Sequence, residues 1–97
     1  MNIEYSKAFI KAASKLDGKY KTSLSKKIDE VKIASSVEEL TDCKKLEGFS
    51  NTYRIRIGSY RAFFIMTIAN NSICFEYLVS RCDAYKKEYL KSLGEKD

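Results

Sequence analysis

The spacing of hydrophobic residues changes near residue 52. Before that position apolar residues recur every three or four places, which is typical of amphipathic helices. After it they alternate with polar residues, which is typical of strands that bury one face. The order of the two patterns predicts an α+β fold: an N-terminal helical hairpin packed on a small antiparallel β-sheet, followed by a short C-terminal helix.

The N-terminal third predicts a short strand over residues 2–5 and two helices. Ser6 is a suitable N-cap for the first helix, which we expect to end near Leu16, before the Asp17–Gly18 break. The second helix is expected to run from about Lys19 to Ala34. The buried positions of both helices recur at helical spacing: Phe9, Ala12, Ala13, Leu16, Tyr20, Leu24, Ile28 and Val31.

A connecting segment follows the helices. Ser36 and Glu39 have the spacing of a capping box, which predicts one short helical turn. The next residues, CKKLEGFSN (43–51), predict a loop or a short strand.

YRIRIGSYRAFF, residues 53–64, predicts a tight β-hairpin. Glycine comes first in Gly58–Ser59, as a type II′ turn requires. This turn sets a register that pairs Ile57 with Tyr60, Arg56 with Arg61, Ile55 with Ala62 and Arg54 with Phe63. Three arginines therefore share one face of the predicted sheet.

Asn70–Asn71 predicts a second turn, of type I′. Its register pairs Ile68 with Ile73, Ile65 with Glu76, and Phe64 with either Phe75 or Tyr77. The apolar face then gains Ile73, Phe75, Tyr77 and Val79, while Glu76 joins the arginine face. We expect one face of the sheet to pack against the helices and the other to be basic and open.

The arginines are distributed differently from the lysines. Every lysine lies outside residues 47–79, whereas Arg54, Arg56 and Arg61 lie inside that segment and Arg81 follows it. Arginine presents a planar fork that binds phosphate or carboxylate through two parallel hydrogen bonds. Because like charges that face each other destabilise a sheet by about 0.2–1 kcal/mol, a bound anion would relieve the repulsion. An ordinary solvated sheet face is the alternative explanation.

Composition narrows the classes of function. With 97 residues, we expect a single domain over residues 1–97 that buries one core. Hydrophobic residues make up 44% and charged residues 32%, which excludes a disordered or fibrous chain. The apolar run AFFIMTIA (62–69) is shorter than the roughly 20 residues that a bilayer span needs. The N-terminus lacks the apolar core of a signal peptide, so we expect a cytoplasmic protein without membrane contact.

Cysteine and histidine usage limits the available chemistry. Cys43, Cys74 and Cys82 have no paired spacing, and histidine is absent. Zinc sites usually draw on paired cysteines or histidines, so we expect no metal and no cofactor. A general base would have to be a group other than histidine. The net charge of +5 is compatible with a nucleic acid or an acidic protein partner.

Two segments, KKLEGFSNTYRIRIGSYRAFF (44–64) and ICFEYLVSRCDAY (73–85), resemble the RelE/ParE superfamily of bacterial toxins from type II toxin-antitoxin modules. In that superfamily a Lys-Leu-x-Gly segment leads into a Tyr-Arg-x-Arg hairpin, a second Tyr-Arg and a closing Arg-x-x-x-Tyr. The resemblance implies a small α+β domain similar to microbial ribonucleases. It also implies a cognate antitoxin as partner, with a segment that wraps the toxin and obstructs its site.

For RelE-like members, the resemblance implies a ribosome-dependent endoribonuclease that cuts mRNA in the A site. By position, Arg54, Arg56 and Arg61 match the basic residues of the hairpin. Arg81 and Tyr85 match the basic residue and the tyrosine that begin the C-terminal region. The arginines would stabilise the charge that develops when the ribose 2′-hydroxyl attacks the adjacent phosphate. The chain departs from the pattern in having two arginines where lysines are usual, and arginine is a poor proton shuttle.

The roles of two residues near the C-terminus stay open at this point. Tyr85 either takes part in proton transfer, if nearby guanidinium groups favour its ionised form, or stacks on a nucleobase. It also lies on an apparent helical stripe with Cys82, Tyr89 and Leu93, which would instead pack it on the sheet. Strict strand alternation turns Arg81 toward the apolar face, so its role requires the strand to end or twist first.

Further alternatives concern the base, the lysines and the activity itself. Glu76 is a second candidate base, because the predicted register places it on the basic face. Lys44 and Lys45 either grip backbone phosphates or 16S rRNA, or are simply solvated. A ParE-like toxin that inhibits DNA gyrase by binding it shares the fold without needing a nucleolytic group, and a binding domain without activity is a third reading.

Overall fold

The computed structural model describes residues 1–97 as three helices and a five-stranded sheet in the strand order β1-β5-β4-β3-β2. The strands are β1 (Asn2–Tyr5), β2 (Cys43–Lys45), β3 (Thr52–Ile57), β4 (Tyr60–Thr67) and β5 (Ser72–Ser80). The helices are α1 (Lys7–Ser14), α2 (Gly18–Ile33) and α3 (Lys87–Lys96), with single 3-10 turns at Val37–Glu39 and Ile68–Asn70. The predicted α+β class is confirmed. None of the three helices has the length and apolar character needed to cross a bilayer.

The N-terminal helices form as predicted. The Ser6 hydroxyl accepts a hydrogen bond from Phe9 N at 3.0 Å and donates one to the Glu76 carbonyl at 2.6 Å. It therefore caps α1 and also ties this helix to β5. In the connecting segment, Glu39 Oε2 accepts a hydrogen bond from Ser36 N at 3.0 Å, as the predicted capping box requires.

The sheet is mixed rather than wholly antiparallel. The predicted first strand, β1, is present, but it pairs with β5 in parallel, with Ile3 opposite Ile73. No tight turn joins these two strands, because both helices and three strands lie between them in the sequence, so hairpin geometry does not set their relative direction.

The first hairpin has the predicted register, with all four pairs from Ile57–Tyr60 to Arg54–Phe63. The second turn was predicted incorrectly. Instead of a two-residue turn at Asn70–Asn71, the chain makes a 3-10 turn and then a left-handed residue, Asn71, with φ of 47°. Because this connection is longer, Ile73 pairs with Met66 rather than with Ile68. Of the two partners considered for Phe64, Phe75 is the correct one.

A β-bulge in β5 changes which residues share a face. Phe63 pairs with Tyr77 and Phe64 with Phe75, so Glu76 has no partner of its own. The extra residue reverses the alternation beyond it, and Tyr77 and Val79 lie on the opposite face from the one predicted. Cys74, and not Glu76, pairs with Ile65.

The sheet separates two apolar clusters. Helices α1 and α2 cover one face, here called the first face, with a cluster of 14 buried residues that includes Phe9, Val31, Ile55, Phe64 and Phe75. The second face carries a cluster of six buried residues: Leu46, Phe63, Ile65, Val79, Ala84 and Leu93. The expectation of one core and one fully open face was wrong, because α3 covers part of the second face.

Candidate functional site

Three arginines project from the part of the second face nearest the β3–β4 turn. Arg54 and Arg56 alternate with Ile55 and Ile57, which are buried against the helices, and Arg61 is the cross-strand partner of Arg56. Arg56 N donates its hydrogen bond to Asp42 on the β2 side, so the Arg56–Arg61 pair is of the non-hydrogen-bonded kind. In such pairs the Cα atoms lie only about 4.5 Å apart. The predicted arginine cluster is therefore present in the structure.

Most of these guanidinium groups are free of carboxylates. The one arginine salt bridge joins Arg56 Nη2 to Asp42 Oδ1 at 3.2 Å. Arg61 Nη1 donates to the carbonyl oxygens of Gly58 at 3.1 Å and Tyr60 at 3.0 Å. These two contacts hold the guanidinium of Arg61 over the hairpin turn.

The hairpin turn is supported from the helical side. Gly58 has φ of 59°, and a Cβ at this position would lie 3.1 Å from the Tyr20 ring. The Tyr20 hydroxyl is 3.3 Å from the Ser59 hydroxyl, and its ring packs edge-on against Tyr60 with centroids 4.9 Å apart. The turn that carries Arg61 is therefore braced by α2.

Arg81 lies next to the same turn. β5 ends at Ser80, and Arg81 N donates to the Ser59 carbonyl at 2.7 Å. The bulge has reversed the strand alternation, so Arg81 follows Val79 on the side of the second face. The expectation that alternation turns Arg81 toward the helices was wrong for this reason.

Tyr85 is not part of a helix. Residues 81–85 form turns, in which Asp83 accepts a hydrogen bond from the Ser80 hydroxyl at 3.2 Å, and α3 begins only at Lys87. The predicted helical stripe holds for Tyr89 and Leu93 but not for Cys82 and Tyr85, which are both exposed. Tyr85 is 55% exposed, and its ring packs edge-on against the ring of buried Phe63, with ring centroids 6.3 Å apart.

Two small clefts lie on the second face, and both are lined by Lys44 and Arg54. The first has a volume of about 190 Å³ and is completed by Lys45, Leu46, Glu47 and Tyr85. The second has a volume of about 250 Å³ and is completed by Asp42, Cys43 and Arg56. A larger groove of about 450 Å³ lies elsewhere, between α1 and α2, and contains none of these residues.

Lys44 and Lys45 are placed differently. Lys44 is the cross-strand partner of Arg54 and extends the basic row on the second face. Lys45 is the partner of Tyr53, and its Nζ lies 6.0 Å from the centre of the Tyr53 ring. Tyr53 packs against the cluster of the first face. Lys45 therefore contacts a residue of the first face and also lines the edge of the cleft on the second face.

The electrostatics of Arg61 link the whole group. Partial burial lowers the pKa of Arg61 from its ordinary value, and the guanidinium groups of Arg54, Arg56 and Arg81 lower it further, while Tyr85 acts in the opposite direction. Even so, an arginine stays protonated near neutral pH. Arg61 therefore interacts with each of the other four side chains, and a phosphate beside it would be attracted by several positive charges at once.

Glu76 does not belong to this group. Its side chain is buried and binds Lys96 Nζ of α3 at 2.8 Å. On β5 it lies three residues before Val79, the partner of Arg61. Glu76 thus lies on the part of the second face that α3 covers, and the prediction that it joins the arginines as a candidate base was wrong because it is paired with Lys96 instead.

Some residues at the site were not predicted from the sequence. Asp42, Cys43 and Glu47 line the clefts, although the connecting segment carried no signal for them beyond its polarity. Burial raises the pKa of the Cys43 thiol to about 11. No three His, Cys, Asp or Glu side chains come together as a set that could hold a metal ion.

Comparison with known proteins places this fold. No protein-family profile matches the chain. Toxin RelE3 from Methanocaldococcus jannaschii is 29% identical over 86 residues, which cover 88% of this chain and 96% of that protein. The matching chain of a RelB-RelE antitoxin-toxin complex from Methanococcus jannaschii is 27% identical in sequence, with a TM-score of 0.72 over 84% of this chain and 94% of that one.

A second archaeal structure agrees with the first. The matching chain of the RelE-RelB complex from Pyrococcus horikoshii OT3 is 25% identical, with a TM-score of 0.71 over 86% of this chain and 97% of that one. The sequence similarity covers 88% of the chain, and the similarity in fold covers 84–86% of it. By both measures this chain is similar to RelE toxins over most of its length.

Proposed function

We propose that this protein is the toxin of a type II toxin-antitoxin module and that it cleaves mRNA in the ribosomal A site. The observation that carries the proposal is the cluster of arginine side chains on the second face, next to a cleft that Tyr85 lines. The relatives support the toxin assignment, since they are RelE proteins and two of them were solved with a RelB antitoxin. We infer a cognate antitoxin as partner here too, and an acidic segment would suit the net charge of +5.

The arginines are suited to phosphate chemistry. When a ribose 2′-hydroxyl attacks the adjacent phosphorus, negative charge builds up on the phosphorane oxygens. Arg54 and Arg61 carry no carboxylate partner, so the donors of Arg54 and those of Arg61 other than Nη1 are available to these oxygens. Because both lie on a braced hairpin, little reorganisation is needed when the charge develops. Arg81 and Lys44 extend the positive surface on either side and would position the backbone, with Lys45 contributing at the rim.

We assign Tyr85 to proton transfer. Its ring is supported by Phe63 and it lines the same cleft as Arg54, so a phosphate bound to Arg54 would lie near the tyrosine hydroxyl. The arginines stay protonated and are poor proton carriers. A stacking role makes a different prediction: phenylalanine would replace tyrosine without loss, whereas alanine would not.

The decisive experiment maps new mRNA 3′ ends in a translating extract after addition of the purified protein. We expect cleavage within A-site codons and a rate loss of about 100-fold for Arg61→Ala, on the scale of losing one preorganised donor. Tyr85→Phe should lose rate with little loss of RNA affinity. Tyr5→Phe and Lys26→Ala make matched changes at exposed positions away from the second face and should cleave like the wild type.

Two results would overturn the proposal. Growth arrest without new 3′ ends, accompanied by inhibition of DNA gyrase, would assign the chain to the ParE-like activity. Equal cleavage by Arg61→Ala and the wild type, both shown to be folded by circular dichroism, would remove the arginine face from the mechanism.

A further inference from the structure

Asp42, the residue before β2, has a backbone conformation that residues other than glycine rarely adopt, with φ of 56°. In this conformation it makes two contacts with one residue of the arginine cluster. Its carbonyl accepts a hydrogen bond from Arg56 N at 3.0 Å, and its Oδ1 lies 3.2 Å from Arg56 Nη2. Asp42 therefore fixes both the main chain and the guanidinium of Arg56.

The segment that carries Asp42 is attached to α2. Lys27 Nζ donates to Thr41 Oγ1 at 2.9 Å and lies 3.9 Å from Asp42 Oδ2. Glu30 Oε1 accepts hydrogen bonds from Thr41 N at 3.0 Å and from Thr41 Oγ1 at 2.9 Å. Lys27 and Glu30 also bind each other at 3.2 Å. A continuous set of polar contacts thus leads from α2 through Thr41 and Asp42 to Arg56.

Stability alone does not account for this arrangement. The Arg56 and Asp42 side chains are 55% and 47% exposed, and ion pairs of such exposure contribute little to folding. The left-handed backbone has a cost, and the carboxylate cancels one positive charge of a basic face. Conformational strain of this kind concentrates at functional sites. Only one of the five guanidinium donors of Arg56 is engaged by Asp42, so the others remain available to a ligand.

We propose that Asp42 is a positioning residue for Arg56. It holds the Arg56 guanidinium at the edge of the cleft that Arg56 lines with Lys44 and Arg54. In this position the free donors of Arg56 meet a backbone phosphate. This inference rests on the proposed nuclease function. It assigns Asp42 no contact with substrate, and its effect is transmitted through Arg56. Thr41, Lys27 and Glu30 keep Asp42 in place from the helical side.

Asp42→Gly is the cleanest test, because glycine adopts positive φ without strain and removes only the side chain. We expect single-turnover cleavage on translating ribosomes to fall about tenfold, while affinity for a short single-stranded RNA stays equal or rises up to about threefold. The rise would follow from losing one negative charge. Asp42→Asn keeps an acceptor for Arg56 and tolerates left-handed backbone, so it should fall between the wild type and the glycine variant.

Asp29→Asn is the matched control, since Asp29 is an exposed carboxylate of α2 that forms no salt bridge and lies away from Arg56. It should cleave like the wild type. In an Arg56→Ala background, Asp42→Gly should cause no further loss, because the two residues act through one contact. A tenfold loss that persists in that background, or wild-type cleavage by Asp42→Gly, would overturn the proposal.

A measurement independent of cleavage separates this inference from the proposed function. The ¹⁵N relaxation of the Arg56 Nε should report an ordered side chain in the wild type and a mobile one in Asp42→Gly, with Arg54 as internal reference. Ordered Arg56 in an inactive wild type would refute the nuclease but not the positioning. Equal mobility of Arg56 in both proteins would refute the positioning whatever the activity.

Discussion

Replacing Leu93 with alanine should test whether α3 is an integral part of the fold. Leu93 is fully buried and belongs to the six-residue cluster of the second face, together with Phe63 and Val79. This cluster is less than half the size of the one on the first face. Removing one large member therefore disturbs much of it.

The magnitude follows from the atoms lost. Leucine to alanine removes three carbons, each contributing about 0.8 kcal/mol when buried, or roughly 2.4 kcal/mol in total. The cavity left behind adds to this, and measured losses for such changes are about 2–5 kcal/mol. We expect a decrease of about 3 kcal/mol in the free energy of unfolding. For a domain of about 100 residues this lowers Tm by roughly 12–24 °C, at about 4–8 °C per kcal/mol.

Urea denaturation followed by far-ultraviolet circular dichroism measures this change, since the chain has no tryptophan. Leu90→Ala is the matched control on the same helix, because Leu90 is only half-buried, and it should cost about 1 kcal/mol. Equal effects of the two substitutions, or a loss at Leu93 under 1 kcal/mol, would refute the packing of α3 on the second face.

Three further predictions concern the turn, the thiols and the acid range. Gly58→Ala should destabilise the protein by about 1–2 kcal/mol, because φ is positive there and the new Cβ would meet Tyr20. Gly94→Ala in α3 should stabilise the protein by about 0.5–1 kcal/mol, because alanine favours a helix and has room at this position. Urea denaturation measures both changes. Alkylation at pH 8 followed by mass spectrometry should label exposed Cys82 well before the other two, because burial raises the pKa of Cys43 to about 11 and that of Cys74 to about 12. Burial alone would raise the pKa of Asp97, but hydrogen bonds from Ser50, Asn51 and Thr52 outweigh burial and lower the pKa. The folded protein therefore gains stability from ionised Asp97 at pH values above the pKa of the unfolded chain. This stability is lost as the pH falls below about 4. Asp97→Asn should therefore remove part of the acid dependence in a pH series of denaturation curves, and an unchanged dependence would contradict these contacts.

Local signals in the sequence predicted much of the fold. The Ser6 cap, α2 and the hairpin register around Arg56 and Arg61 each depend on residues close together in the chain, and each was predicted correctly. Such features follow from side-chain spacing and turn chemistry alone. The arginine cluster was found for the same reason, because one tight turn fixes which residues face each other.

Features that depend on distant contacts were missed. The bulge at Glu76 is stabilised by Lys96, 20 residues later, so nothing near Glu76 in the sequence indicates it. The start of α3 was placed too early, because the turn closed by Ser80 and Asp83 overrides an apparent helical spacing. The placement of Asp42 depends on α2 and β3 together. These are tertiary effects that a reading of local patterns does not include.

The unpaired residue in β5 has a consequence for how the protein tolerates change. Phe75 and Tyr77 pair with the adjacent residues Phe64 and Phe63, so deleting the unpaired Glu76 would leave a regular ladder with every later residue on its present face. Deleting a paired residue such as Leu78 would instead turn Val79 toward the helices and take Arg81 away from the other guanidinium groups. The strand therefore tolerates a shorter chain at Glu76 but not two residues later, where the length from Tyr77 to Arg81 decides on which side of the sheet the last arginine lies.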